Sequence, residues 1–540
     1  MRARILHGRV LAFLAVVGLL AAACGGGGGG GEEPTGSASG GGNAQATIVH
    51  GTTDTVVSLD PAGSYDFGSW QIIYNTMDGL LEIPPQGNTP EPALADSCDF
   101  TDPTTYQCTL KSGLKFSDGS PVTSEDVVYS LQRNIEIADP NGACSLLAAL
   151  ADCKKWDPKA VDTPDPQTVV FHLRYPDGTW PFILTTPAAF VVPKASYPEK
   201  DKQPDEPGKV IGTGRYVLKD YRPGEQAVLE ANPDFWGDAP ANARVIVQYF
   251  SNESALKLAL EQQEVDIAWR SLGPTAVSAL ENESGIQVLK GPGTEIRYLV
   301  FNLKFSPGKQ LAVRKAVAYT IDRAAIAKNA WNGTVEPLYS MVPTEFAGHT
   351  DAFAEMYGEN PDVNAAKKVL QDAGISTPVD LEIWYTPTHY GEATADEYAE
   401  IKRELEGSGL FKVTLKSAEW DQYSNAAFTD QYPIYQLGWF PDYVDADDYT
   451  APFYSKGSFL NDHYSSPKME SLLKQEKAET DPAKREQIFA QIQKLGAEDV
   501  PIIPIWQGFQ LAAIREGITG VDKTLDASFQ FRYWLVSKAS

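Results

Sequence analysis

VDLEIWYTPTHYGEATADEYAEIKRELEGSGLFKVTLKSAEW, residues 379–420, reads as a strand (379–385), a helix (394–406) and a second strand (411–420). Helix-like stretches at 311–320 and 362–373 precede it, and a strand-like YPIYQLGWF (432–440) follows. Helix and strand taking turns in this way marks an α/β lobe. The same alternation occurs in an earlier region. ATIVHGTTDTVVSLDPAGSYD (46–66) is a strand running into a turn at Asp60-Pro61, with a helix-like stretch at 69–81. YVLKDY and QAVLEAN pair like a hairpin around Arg222-Pro223-Gly224, and SALKLALEQQEVDIAW (254–269) reads as helix then strand. Two separate α/β regions imply two lobes. Within the first region, between its segments 46–81 and 216–269, residues 105–175 mix alternating runs (YQCTLKSGLKF, QTVVFHL) with an amphipathic helix at 123–136. Thr123 or Ser124 caps that helix, Glu125 and Asp126 suit its positive end, and Val127, Val128 and Leu131 share a face. Pro198–Gly208, rich in Pro, Lys and Asp, reads as a boundary. No internal repeat is present.

A chain of 540 residues exceeds one small core, and its composition (43% hydrophobic, 21% charged) is globular. The formal charge of −26 argues against nucleic-acid binding, which needs a basic face. The acids are scattered, which predicts a mostly solvated acidic surface. Outside the cytoplasm thiols usually pair. Cys98 and Cys108 flank a turn-like DFTDPTTYQ between strand-like segments, and Cys144 and Cys153 close a similar short loop; two local disulfides are expected. The cysteine spacings suit no common zinc finger and the six histidines are dispersed, so no metal or cofactor is expected.

The chain opens with Arg2, Arg4 and Arg9, an apolar run from Val10 to Leu20, and Ala21-Ala22-Ala23 before Cys24. That is the pattern of an export signal, and the run is too short for the roughly 20 residues that span a bilayer. Removing residues 1–23 takes away three arginines and no acid, leaving −29. A cysteine at this point resembles the lipobox of bacterial lipoproteins, whose thiol is lipidated and becomes the mature N-terminus. Ala21 departs from the usual leucine. The Gly/Ser-rich residues after Cys24 read as a tether, spanning roughly 25 Å as a random coil.

Several stretches in order resemble the extracytoplasmic solute-binding proteins of ABC importers, the family of oligopeptide-, dipeptide- and nickel-binding proteins. They are LKSGLKFSDGSPVTSEDVVYSL (110–131), GTGRYVL (212–218), NPDFWG (232–237), VRKAVAYTIDRAAI (313–326), GWFPDYVDADDY (438–449), NDHYSSPKMESLL (461–473) and VPIIPIW (500–506). The resemblance implies an α/β, two-lobed periplasmic-binding-protein-like fold with an additional domain on the first lobe. The expected division is a signal peptide 1–23, a lipidated cysteine and tether 24–46, lobe I in 47–82, 207–299 and 505–540, an extra domain 83–206, and lobe II in 300–504. It implies a monomer anchored by lipid at the outer face of the cell membrane, serving an ABC permease. Most of these motifs read as structural; Arg314 and Asp322 are expected to steady their helix and its cap.

GWFPDYVDADDYTAPFY, following a strand-like run, is the candidate site, since α/β lobes bind ligands at strand ends. A peptide's terminal ammonium needs a buried carboxylate, because an unpaired buried charge is costly. The resemblance assigns that role to Asp442, with Trp439 as a pocket wall and Trp420 lining a side-chain pocket. Asp445, Asp447 and Asp448 are read as surface or structural. At the other end of the ligand the family pattern is broken: dipeptide binders carry an arginine shortly after a W-x-x-P motif, and here Trp384-Tyr385-Thr386-Pro387 leads to Thr388-His389-Tyr390. The arginine that some oligopeptide binders place before the motif tryptophan is Gln436. His389 is a candidate partial donor. The resemblance thus implies a peptide, with a nickel chelate or oligosaccharide as alternative cargo. A hydrolase using paired aspartates is the other class, but no GxSxG, HExxH or phosphate-binding glycine loop occurs. A non-enzymatic binder is the expectation.

Overall fold

The computed structural model describes residues 45–387, 389–460 and 463–539. Cys24, the signal and nearly all of the tether lie outside them. Two mixed sheets carry the molecule. The first has the order 286–291, 510–515, 267–269, 47–52, 244–249, 226–231, 216–222. Its strand 47–52 runs parallel to both neighbours. The expected hairpin pairs Tyr216 with Ala231 and Arg222 with Gln226. The second sheet has the order 335–337, 502–508, 296–301, 434–439, 379–385, 411–417. Its strand 379–385 is parallel to 411–417, as the crossover helix Thr394–Gly407 requires.

The chain passes between the sheets twice, between strands 286–291 and 296–301 and between strands 502–508 and 510–515. Strands 296–301 and 502–508 belong wholly to the second sheet, so both crossings fall outside the expected boundaries at 299/300 and 504/505. The crossings touch backbone to backbone: Gly508 N donates to Glu295 O at 2.8 Å. A Cβ on Gly293 would lie 2.0 Å from Gly508 O, a contact only glycine permits.

Residues 95–110 and 161–172 form a separate four-stranded sheet, order 95–102, 105–110, 168–172, 161–165. Helix Ser124–Ile137 packs on it, and Thr123 N donates to Asp126 Oδ2 at 2.9 Å, closing a capping box. Val127 and Leu131 are buried in a core that runs on through Ile73 of helix Phe67–Thr76 to Ile48 and Val245 of the first sheet. The extra sheet therefore extends the first lobe. Both expected disulfides form: Cys98 sits opposite Cys108 in the hairpin register, and Cys144 joins Cys153. The second lobe has cores of its own around Leu299, Ile383 and Leu405 and around Tyr298, Tyr435 and Phe453. Arg314 donates to the carbonyls of Gly308, Lys309, Asp499 and Val500, and Asp322 accepts from Ala325 N at 2.9 Å to cap helix Arg323–Asn329.

Two local expectations shift. The helix expected at 69–81 is Phe67–Thr76. The strand expected to 420 ends at Ser417, and Trp420 begins helix Trp420–Phe428. Acidic Glu419 and Asp421 at that start suit the positive end of a helix dipole.

Candidate functional site

A cavity of about 230 Å³ opens where the lobes face each other. Tyr65, Asp66, Phe67 and Trp70 line it from the first lobe. His389, Tyr390 and residues 438–442 line it from the second. The wall from the second lobe is the end of strand 434–439 and the turn after it. Asp445 caps the 3₁₀ turn Ala446–Tyr449, accepting from Asp447 N at 2.9 Å. This turn brings Asp448 back under the strand end, where its Oδ2 accepts from Asp442 N at 2.8 Å and from Trp439 Nε1 at 3.4 Å. The carboxylate of Asp442 is thereby held at the cleft, and Tyr65 Oη donates to it across the lobes at 2.6 Å.

The four aspartates of this segment divide in two. Arg485 grips Asp445 with both nitrogens at 2.6 and 2.8 Å and also donates to Glu476 at 3.0 Å. Asp447 accepts from Tyr443 Oη at 2.8 Å and pairs with Lys477 at 3.3 Å. Burial alone would raise its carboxyl, but the Lys477 ammonium and its other partners hold it well below the usual range. Asp442 and Asp448, by contrast, meet only neutral donors: no Lys, Arg or His forms an ion pair with either among the described residues. Burial pushes Asp442 up to about 6, against the lowering hydrogen bond from Tyr65. Burial and the neighbouring Asp442 carboxylate push Asp448 well above the carboxylate range. Such a pair favours a cation, which would relieve both. Of the two positions expected for Asp445, Asp447 and Asp448, surface or structural, the surface one is corrected, since all three are buried, and the partners of Asp445 and Asp447 are those of a structural role.

Of the aromatic candidates, Trp439 lines the cavity and packs its ring on Phe453 and Phe459. Trp420 stands one ring behind the wall, stacked on His389 at 3.7 Å between centroids and 2° between planes. His389 itself lines the cavity, so Trp420 acts through it rather than on the cavity directly. Gln436 is fully buried inside the second lobe, its carbonyl accepting from Tyr423 Oη at 2.7 Å. Sequence reasoning missed Tyr65, Phe67 and two arginines. Arg297, on strand 296–301, lies under the wall with its guanidinium 4.1 Å from the Tyr390 ring centroid. It occupies the space beside Gly438, where a Cβ would come within 2.4 Å of its Nη1. Arg270 packs on Phe67 at 4.0 Å and on Phe440 at 5.1 Å. A charged residue inside IRYLVF and one at the end of VDIAW were the available signals.

A larger cavity, about 370 Å³, lies on the far side of residues 444–446, between the extra sheet's domain and the second lobe. Beside it Gly178 N donates to Lys477 O at 2.7 Å, and Lys477 Nζ stands 3.8 Å from Asp177. Contacts between the lobes include Tyr65–Asp442, Phe67 and Phe529 against Phe440, and Asp177–Lys477.

A family model described as bacterial extracellular solute-binding proteins, family 5, middle region, matches residues 89–461. The chain belongs to that family. Periplasmic oligopeptide-binding protein OppA of Escherichia coli (strain K12) is 25% identical over 516 residues, 91% of this chain and 92% of that protein. Periplasmic murein peptide-binding protein MppA of the same organism is 26% identical over 483 residues, 85% of this chain and 87% of that protein. The crystal structure of the ABC transporter substrate binding protein CtaP of Listeria monocytogenes superposes with a TM-score of 0.80 at 22% identity, covering 92% of this chain and all of that one. The fold is the two-lobed binding-protein fold with an extended first lobe, and the chain is a solute-binding protein of ABC importers, not an enzyme. No helix among the described residues is long and apolar enough to cross a membrane.

Proposed function

We propose that this protein captures a peptide with a free amino terminus between its lobes and delivers it to a membrane permease. The observation that carries the reading is the Asp442–Asp448 pair at the cleft, Asp448 buried and Asp442 half-buried, acidic and met only by neutral donors. A terminal ammonium supplies the missing cation and three donors. Tyr65 Oη holds Asp442 from the opposite lobe, so the arriving ammonium would enter a contact already formed between lobes. Binding energy shared by both walls favours the closed state. The paired hinge crossings at 292–295 and 509 suit such a motion. The relatives named for oligopeptide and murein-peptide binding support the peptide over a chelate or a sugar.

The export pattern and Cys24 support a lipid anchor, with the glycine-rich tether keeping capture close to the permease. Cys24→Ala is then expected to move the protein from the membrane fraction to the medium; unchanged fractionation would overturn the anchor. For the cargo, native mass spectrometry of protein purified from peptide-rich medium is expected to show bound masses that sequence as peptides. A bound metal chelate or sugar in their place would overturn the peptide reading.

A further inference from the structure

Two guanidinium groups flank Phe440, and they differ in what they can still do. Arg297 is sealed: its side chain is 2% exposed, Nη1 donates to Ile296 O at 3.0 Å, and Nη2 is bound to Glu295. Arg270 is not. Its side chain is 18% exposed, and Nη2 and Nε rest on Asp54 at 2.9 and 3.4 Å. Nη1 has no hydrogen-bond partner among the described residues.

The position of Arg270 adds to this. It follows strand 267–269, the short strand parallel to 47–52, so it stands at a carboxyl strand end of the first lobe. Its backbone has φ +68°, in the left-handed region that a long side chain rarely occupies. In that conformation the guanidinium lies against Phe67 and Phe440. These two rings line the cavity from opposite lobes and meet edge to face at 5.0 Å. Asp54, itself steadied by Thr52 Oγ1 at 3.3 Å, fixes one edge of the fork and leaves the other edge presented. Asp442, on the second lobe, lines the same cavity.

We propose that Arg270 is the anion-recognising residue of the cleft, its Nη1 pairing with a carboxylate of the cargo while Asp442 holds the cargo's ammonium. This rests on the peptide reading above and deepens it: the cargo is a zwitterion whose opposite charges are held by opposite lobes. The carboxylate arises from the peptide's C-terminus or from an acidic side chain. Arg270 thus fills the role that the segment after Pro387 leaves empty.

A tryptic digest of casein serves as probe, untreated and with every carboxyl converted to the amide. Each is incubated with the full chain, and peptides that co-elute on gel filtration are identified by mass spectrometry. Wild-type protein is expected to retain untreated peptides and to lose retention about tenfold on amidation, as expected for a hydrogen bond to a charged group. Arg270→Gln is expected to retain both digests equally and weakly. Arg270→Gln combined with Asp54→Asn, which leaves no unpaired charge, is expected to do the same, so a folding defect of the single variant does not decide the result. Enrichment of Asp and Glu among retained peptides assigns the carboxylate to side chains; its absence assigns it to the C-terminus. Equal retention of both digests by wild-type protein overturns the role of Arg270 and leaves the peptide reading standing. Retention of neither digest overturns both.

Discussion

Within eight residues the segment 441–448 holds two pairs of aspartates in opposite electrostatic states. Asp445 and Asp447 are buried beside Arg485 and Lys477, and each of the two aspartates has a cation against it. Asp442 and Asp448 are held by a phenol, an indole and a backbone amide, which fix geometry without neutralising charge. The first pair builds the lobe; the second waits for a cation. An acidic cluster by itself says little about binding, and what separates scaffold from site here is the nature of each partner.

The largest expected effect breaks the paired half. Arg485→Met strands Asp445 and Glu476 without a counter-charge, and losing one partner of a buried pair costs about 3–5 kcal/mol. Equilibrium denaturation should show the loss; a change below about 1 kcal/mol would make the two halves alike. Asp442→Asn is expected to do the reverse. The folded-state carboxyl is raised above its unfolded value, so its ionised form opposes folding above pH 6. The variant should therefore be at least as stable at pH 7.5, while its affinity for free-amine peptides, followed by calorimetry, falls by 30-fold or more, roughly the worth of a charged hydrogen bond.

Much of this was legible and some was not. The hairpin disulfide, the capped helix 124–137 and the strand 379–385 depend on neighbours in sequence, and local pattern carries them. Asp442 and Trp439 came from a motif. Tyr65 is separated from Asp442 by 377 residues, and no local pattern links them. Nor does the segment itself tell Asp445 from Asp448, because the deciding cations sit on helices 467–478 and 482–499. The alternation of FKVTLKS runs without a break into AEW, so local pattern does not separate the strand from the helix that Trp420 begins, whose acidic start is the competing signal.

Smaller effects sharpen the open half. With Asp442 pushed up to about 6, the anion that holds an ammonium is lost as pH falls through that value. Affinity for free-amine peptides should therefore weaken about tenfold between pH 7 and pH 5; a flat profile would place the cation elsewhere. Trp420→Ala removes only the ring stacked behind His389, and a few-fold loss in affinity is expected by titration calorimetry. A loss as large as that of Asp442→Asn would put Trp420 in direct contact with the cargo.

The most direct test of the unpaired carboxylates is capture by wild-type protein of one peptide digest, with amino groups free or acetylated. Acetylation removes the charge that Asp442 and Asp448 lack and leaves the rest of the peptide intact. Retention of the free-amine digest and loss of the acetylated one is the predicted result, whereas equal retention of both would contradict the account.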